Sequence, residues 1–204
     1  MLIRMSTLAP LKTLLFDFAN SSDPRVRERL ESESWAKYGK TGAVFVLDMA
    51  RFSQTSLERG IVYYLALVRR MQVIVGPIID RYEGEIVKFE ADNCFAHFAT
   101  VEQALDVAVG IHIAIGAANR TTPDDLDIEV SIGIDHGDFL RLEGDYFGNA
   151  VNLASKLGED IGGAGDVILT QTAIEFLGNQ SRFSFEPAQY SISGMVLDAF
   201  HLVR

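Results

Sequence analysis

Hydrophobic and polar positions along the chain switch between helical and strand periods, and the switches mark out elements. Residues 7–37 read as helical, with Ser21-Ser22-Asp23 and Pro24 as the start signal for a helix over 26–38. Gly39-Lys40-Thr41-Gly42 breaks that helix, and residues 43–48 form a short apolar strand. A long helical stretch follows Ser53-Gln54-Thr55-Ser56 and ends near Arg81, with an interruption expected near Gly76-Pro77. Residues 84–89 and 94–98 read as two strands of a hairpin that turns through Glu90-Ala91-Asp92-Asn93. Leu105, Val107, Ala108, Ile111 and Ile115 give residues 101–118 a helical stripe. Beyond it come a strand over 128–134, a helix over 148–157, a strand over 166–169 and a short helix over 171–177. Residues 183–185 and 196–203 read as closing strands.

This order, roughly αβαββαβ(β)αβαββ, predicts an α+β fold: a ferredoxin-like sandwich with a mixed, mainly antiparallel central sheet flanked by helices. The expected division is a helical segment over 1–40 and one domain over 41–204. Forty residues are few for a separate sensor domain, so the segment reads as a dimerisation or transduction element. Trp35 is expected to pack it on the domain.

Charge narrows the function. A formal net charge of −10 leaves no basic stripe for nucleic acid, yet permits a nucleotide held by metal ions and a few local cations. One cysteine, Cys94, rules out an internal disulfide framework and fits a reducing, cytoplasmic setting. No membrane span is expected, because the most apolar stretch, 61–79, is broken by Arg69, Arg70, Gln72 and Pro77. The N-terminus carries Arg4 and Lys12 without a signal-type apolar core.

Three stretches carry chemistry. In Phe45-Val46-Leu47-Asp48-Met49-Ala50-Arg51-Phe52-Ser53 and Gly84-Glu85-Ile86-Val87-Lys88-Phe89-Glu90-Ala91-Asp92, an apolar run ends in an aspartate at a turn. Two such carboxylates converging on one cation suit phosphate chemistry. Singly, each is better read as a turn residue. Backbone N–H groups near Phe52 and Ser53 are placed to face phosphates. Lys88, on the expected face of Ile86 and Glu90, is either a partnered cation or an edge lysine that blunts aggregation. In Gly144-Asp145-Tyr146-Phe147-Gly148-Asn149-Ala150-Val151-Asn152-Leu153-Ala154-Ser155-Lys156-Leu157, Asn152 and Lys156 lie one helical turn apart. The bland reading there is a solvated helix face. Glu83 and Glu85 read as solvated strand-end charges, and His136 as a turn residue.

Together these stretches resemble the class III nucleotide cyclases, the adenylate/guanylate cyclase family, in its compact bacterial form. The resemblance covers roughly 40–204 and includes Ile192-Ser193-Gly194-Met195. It implies that Asp48 and Asp92 bind two metal ions, Mg²⁺ or Mn²⁺. Lys88 and Asp145 read the purine, Asn152 orients the ribose, and Lys156 takes the place of an arginine that steadies the transferring phosphoryl group. Lys88 donates and Asp145 accepts, which suits adenine N1 and N6 and mismatches guanine. The implied reaction converts ATP to 3′,5′-cyclic AMP and pyrophosphate. The implied assembly is a homodimer whose sites take Asp48 and Asp92 from one subunit and the other four residues from its partner. Three positions depart from the pattern: Arg51 and Ala91 replace glycines, and Lys156 loses the bidentate fork of arginine. They keep open a weak or non-catalytic nucleotide-binding module, or a cyclase for another nucleotide. The segment between Ile134 and Asp145 is short for the family's subunit-clasping arm.

Overall fold

The computed structural model describes residues 8–50, 59–177, 181–192 and 195–203. Helices α1 (Leu8–Asn20) and α2 (Pro24–Tyr38) precede strand β1 (Gly39–Met49). Then follow α3 (Ile61–Arg81), β2 (Glu85–Glu90), β3 (Asn93–Phe98), α4 (Val101–Asn119), β4 (Val130–Leu142), β5 (Asp145–Phe147) and α5 (Asn149–Ser155). A π-helical turn (Lys156–Ile161), β6 (Val167–Thr170), α6 (Gln171–Leu177), β7 (Ser184–Ile192) and β8 (Met195–Val203) complete the chain. The eight strands make one sheet in the order β2-β3-β1-β4-β6-β8-β7, with β5 paired to β4. β4 and β6 run parallel and the other pairs are antiparallel, so the fold is the mixed, mainly antiparallel α+β sandwich expected.

Strand alternation sorts the core into two layers. Ala43, Phe45, Leu47 and Met49 of β1 face α3, α4 and α6, in a cluster with Met71, Val75, Ile79, Leu105, Ile111, Ile132, Ile134 and Ala173. Val44 and Val46 face the other way, with Phe95, Phe139, Tyr146, Ala150, Val151 and Ala154. α5 and the π turn cover only part of that second face. The helix starts follow local chemistry. Asp23 accepts from the Arg25 N–H at 2.9 Å with Pro24 at the first position of α2, and Thr100 and Gln103 form a capping box on α4.

Four expectations about elements are corrected. Gly39 does end α2 at Tyr38, but Gly39–Gly42 is already strand, so β1 begins four residues earlier than expected, opposite Leu140–Gly137 of β4; Gly42 lies where any Cβ would press on the Phe98 carbonyl. α3 runs through Gly76-Pro77, since Pro77 sits on the exposed side where water can take the carbonyl left without a donor. The closing strands are longer than expected because β7 and β8 pair along their whole length. Trp35 is 40% exposed and walls a cleft of about 640 Å³ with Leu140, Phe147 and Leu153. The N-terminal helices are instead held by Leu11 and Leu14 against Tyr38, Leu140 and Leu142. By length and composition α3 and α4 could each cross a membrane; here both pack on the sheet.

Candidate active site

Asp48 is the penultimate residue of β1, and alternation turns it to the face of Val44 and Val46. Asp92 sits in the turn between β2 and β3. The β1–β3 register places Leu47 opposite Cys94, so the turn and the end of β1 meet at one end of the sheet. Burial pushes the Asp48 carboxyl up to about 7, and the nearby charges of Asp92, Glu159 and Asp160 add to it. Burial raises Asp92 as well. The two predicted carboxylates are therefore neighbours, and among the described residues neither has a cation partner. Ala91 before Asp92 has φ +51°, so the turn does need the left-handed region that alanine strains. Phe52 and Ser53, with Arg51, lie outside the described residues.

Glu159 and Asp160 are additions that sequence reasoning missed. Their place depends on the π turn, which has no period of its own. The helix expected over 148–157 ends as α at Ser155, and the chain widens into the turn Lys156–Ile161. Close approach fixes this turn. A Cβ on Gly133 would collide with the Ala154 carbonyl and the Gly158 N–H, and Ser131 Oγ donates to the Gly158 carbonyl. Burial raises the Glu159 carboxyl, the Ser155 hydroxyl opposes this, and Asp160, Asp92 and Glu90 add to the rise.

Could these groups hold a metal ion? Among the described residues no three His, Cys, Asp or Glu converge on one point. Mg²⁺, however, is usually held by one or two carboxylates together with substrate phosphates and water. An uncompensated, half-buried aspartate pair fits that demand.

The purine side is built differently. The β2–β3 register shifts between Ile86 and Lys88, a bulge that leaves Val87 and Lys88 on the same face. Ile86 packs with the α3 layer while Val87 joins Phe95 and Tyr146. Lys88 thus shares a face with Glu90 but not with Ile86, a correction strict alternation could not supply. Its ammonium lies 2.6 Å from Glu90 Oε2, 3.2 Å from Asp145 Oδ1 and 4.8 Å from the centre of the Phe95 ring. Burial pulls Lys88 down, but the two carboxylates outweigh it and hold the group above its ordinary value.

Asp145 opens β5 just after the β4–β5 turn, where Gly144 takes φ +78°. The Tyr146 N–H donates to its Oδ1 at 2.9 Å, and Arg141 Nη1 donates to its carbonyl at 3.2 Å. Arg141 also forks onto Glu85 Oε1 at 2.6 and 3.2 Å, tying β4 to β2. Glu85 is a solvent-exposed strand-end charge, as expected, and is in addition anchored by Arg141; burial would raise its carboxyl, but Arg141 and then His97 hold it low. Burial lowers His97, so Arg141 is the charged partner that counts.

Asn152 is exposed on α5, and the Lys156 N–H bonds to its carbonyl, which confirms that they are one turn apart. Lys156 is half-buried and makes no ion pair among the described residues. Asn152 thus sits on α5 and Lys156 at the first position of the π turn that continues it. His136 is buried inside β4 and stacked on Phe176 at 3.7 Å; the strand continues past the expected turn to Leu142.

An acidic strand-end pair, a lysine–aspartate pair and α5, which carries the exposed Asn152, lie on one face of the sheet of this α+β domain. Residues 43–197 match the sequence model of the adenylate and guanylate cyclase catalytic domain, and the chain belongs to that family. Its members bind nucleotide and generally depend on divalent metal ions. The protein named "Putative adenylate cyclase 3" of Rhizobium meliloti (strain 1021) is 23% identical over 151 residues, 74% of this chain and 26% of that protein. The chain spans about a quarter of the length of the curated relatives it matches. An adenylate/guanylate cyclase/hydrolase from Silicibacter pomeroyi superposes with a TM-score of 0.66 at 26% identity, over 81% of this chain and 98% of that one. The guanylyl cyclase Cya2 superposes with a TM-score of 0.70 at 16% identity, over 80% and 92%, a likeness of fold.

Proposed function

We propose that this chain is the catalytic domain of an adenylate cyclase that converts ATP to 3′,5′-cyclic AMP and pyrophosphate as a homodimer. The observation that carries the reading is the Lys88–Asp145 pair, 3.2 Å apart, a donor beside an acceptor. Adenine offers an acceptor at N1 and a donor at N6, and a polar site rejects the reversed pattern far more strongly than an apolar pocket rejects a methylene. Names alone do not decide the base, since both adenylyl and guanylyl cyclases share this fold.

In this reading the ribose 3′-oxygen attacks the α-phosphorus, the bond to the β-phosphate oxygen breaks, and the 3′-hydroxyl proton leaves to solvent. Asn152 orients the ribose so that attack is in line, and the Lys156 ammonium balances charge at the transferring phosphoryl group. Asp48 and Asp92 would hold the divalent ions, which when bound supply Lewis-acid activation and charge neutralisation. The two subunits each contribute one half of a site. The β4–β5 turn is compact, which leaves the N-terminal helices docked at Leu140 and Leu142 as a second element for pairing.

Purified protein with ATP and Mg²⁺ or Mn²⁺ should yield cyclic AMP at concentrations where dimers form. The absence of product there would refute the proposal. A second reading, a module that binds nucleotide without turnover, draws on the strained Ala91 and on lysine at position 156. It gains if ATP binds, no product forms, and Lys156→Arg restores none.

A further inference from the structure

Strand β4 is paired on one side with β1 from residue 130 to residue 140. On its other side it meets β6 only over 132–134 and β5 only over 140–142. Among the described residues no strand fills the gap between them. α5 and α6 start close to that gap, and with Trp35 of α2 they enclose the cleft of about 640 Å³. Its volume lies in the range of small-molecule sites.

The cleft pairs apolar surface with a polar wall. Trp35, Phe147 and Leu153 supply the apolar part, and the two aromatic rings stay exposed. Asp135, His136 and Asp138 supply the polar part. Asp135 is buried and accepts from the Thr170 hydroxyl, while Asp138 is exposed and accepts from the Thr41 hydroxyl. Among the described residues neither carboxylate has a cation partner, and no lysine or arginine lines the cleft. His136 is nine-tenths buried, and its Nδ1 has no hydrogen-bond partner. Burial disfavours the charged imidazole, with Asp138 opposing. A neutral ring keeps one acceptor nitrogen, so this wall takes donors.

These features sort the ligands by charge. A phosphate or carboxylate would meet two like charges and no cation. A neutral apolar molecule would leave the carboxylates without a counter-charge. A cation on an apolar body suits both walls, because carboxylates attract it and the faces of Trp35 and Phe147 do so too. We propose that the cleft between α2, β4 and α5 is a binding site for an organic cation, an ammonium group carried on an aromatic or branched apolar body. Among the described residues, none that is assigned above to nucleotide or metal lines this cleft, so the proposal stands apart from the cyclase reading. An occupant would touch both Trp35 of the N-terminal segment and Leu153 of the helix that carries Asn152. The bland alternative is a water-filled seam where that segment meets the domain.

Trp35 is the only tryptophan in the chain, so its fluorescence reports on the cleft directly. Phenethylammonium titrated into the full chain should change that fluorescence with a Kd on the order of 1 mM, as suits so small a probe. Phenethyl alcohol, its neutral counterpart, should bind about tenfold more weakly, and phenylacetate more weakly still. Asp138→Asn should weaken the ammonium about tenfold and leave the alcohol unchanged; Asp138 is exposed, so this substitution is safe for folding. Calorimetry on Trp35→Leu should show a loss of similar size. No response to the ammonium at about ten times the expected Kd would overturn the proposal. So would equal affinity for ammonium and alcohol, or an ammonium affinity unmoved by Asp138→Asn. A response that fades as protein concentration rises would give the cleft to a second copy of the chain and overturn it as well.

Discussion

Two regions of one sheet face handle charge in opposite ways. At the end of β1, Asp48, Asp92, Glu159 and Asp160 gather negative charge with no cation among the described residues, and Asp48 is driven up to about 7. A short distance along β2, Lys88, Glu90, Asp145, Arg141 and Glu85 form a network in which each charge has a partner. The first region is unfavourable until something positive arrives. The second is assembled in advance. A binding site for a metal-bound triphosphate has use for both: one place where stabilisation appears only on loading, and one where geometry is fixed beforehand.

The sharpest way to break the comparison is to remove a carboxylate from the first region. Under the proposed function, Asp92→Asn should lower cyclase turnover by about 1,000-fold, because one of the two carboxylates that would hold the divalent ions is lost. Cyclic nucleotide measured over a range of Mn²⁺ concentrations checks this; turnover within tenfold of wild type would remove Asp92 from the metal site.

Next in size is the pH dependence of stability without metal. Asp48 ordinarily loses its proton near 3.8 but in the fold near 7. The folded state therefore holds extra protons between those values. The associated stability is complete below about pH 4 and is lost as pH rises through 7. After allowance for solvent screening the loss is about 1–2 kcal/mol. Urea denaturation at pH 5 and pH 8 in EDTA should show it, and Asp48→Asn should flatten it. Mn²⁺ should recover stability at pH 8 in the wild type but not in the variant.

In the second region, under the proposed reading of the site, Arg141→Ala should loosen Asp145 and raise the KM for ATP about tenfold with a smaller change in kcat, since Arg141 Nη1 donates to the Asp145 carbonyl. Steady-state kinetics distinguish this from general unfolding, which would lower kcat at constant KM. Smallest of all, Ala91→Gly should stabilise the protein by about 0.5–1 kcal/mol by relieving a left-handed alanine, and thermal denaturation can resolve that gain.

Much of this was legible before any coordinates. Asp48 and Asp92 each ended an apolar run, and the hairpin between residues 85 and 98 brought the second beside the first. The resemblance couples Lys88 with Asp145 as one donor–acceptor pair, and the two lie 3.2 Å apart. The Arg141 partner of Glu85 and the burial of His136 escape a reading of the sequence for one reason: a side chain's role here depends on what lies across the sheet. Glu85 meets Arg141 from 56 positions away, and His136 is stacked by Phe176.

The sequence by itself determined the order of elements, the α+β class and the kinds of polar group available, because period, turn residues and composition are local properties. Only the tertiary structure decided which way Lys88 points, where the helix after Ser155 widens, and which carboxylates gather around Asp48. A bulge, a glycine-to-glycine contact at Gly133 and Gly158, and the pairing of distant strands are packing outcomes. They arise from contacts between segments that no single stretch of sequence contains.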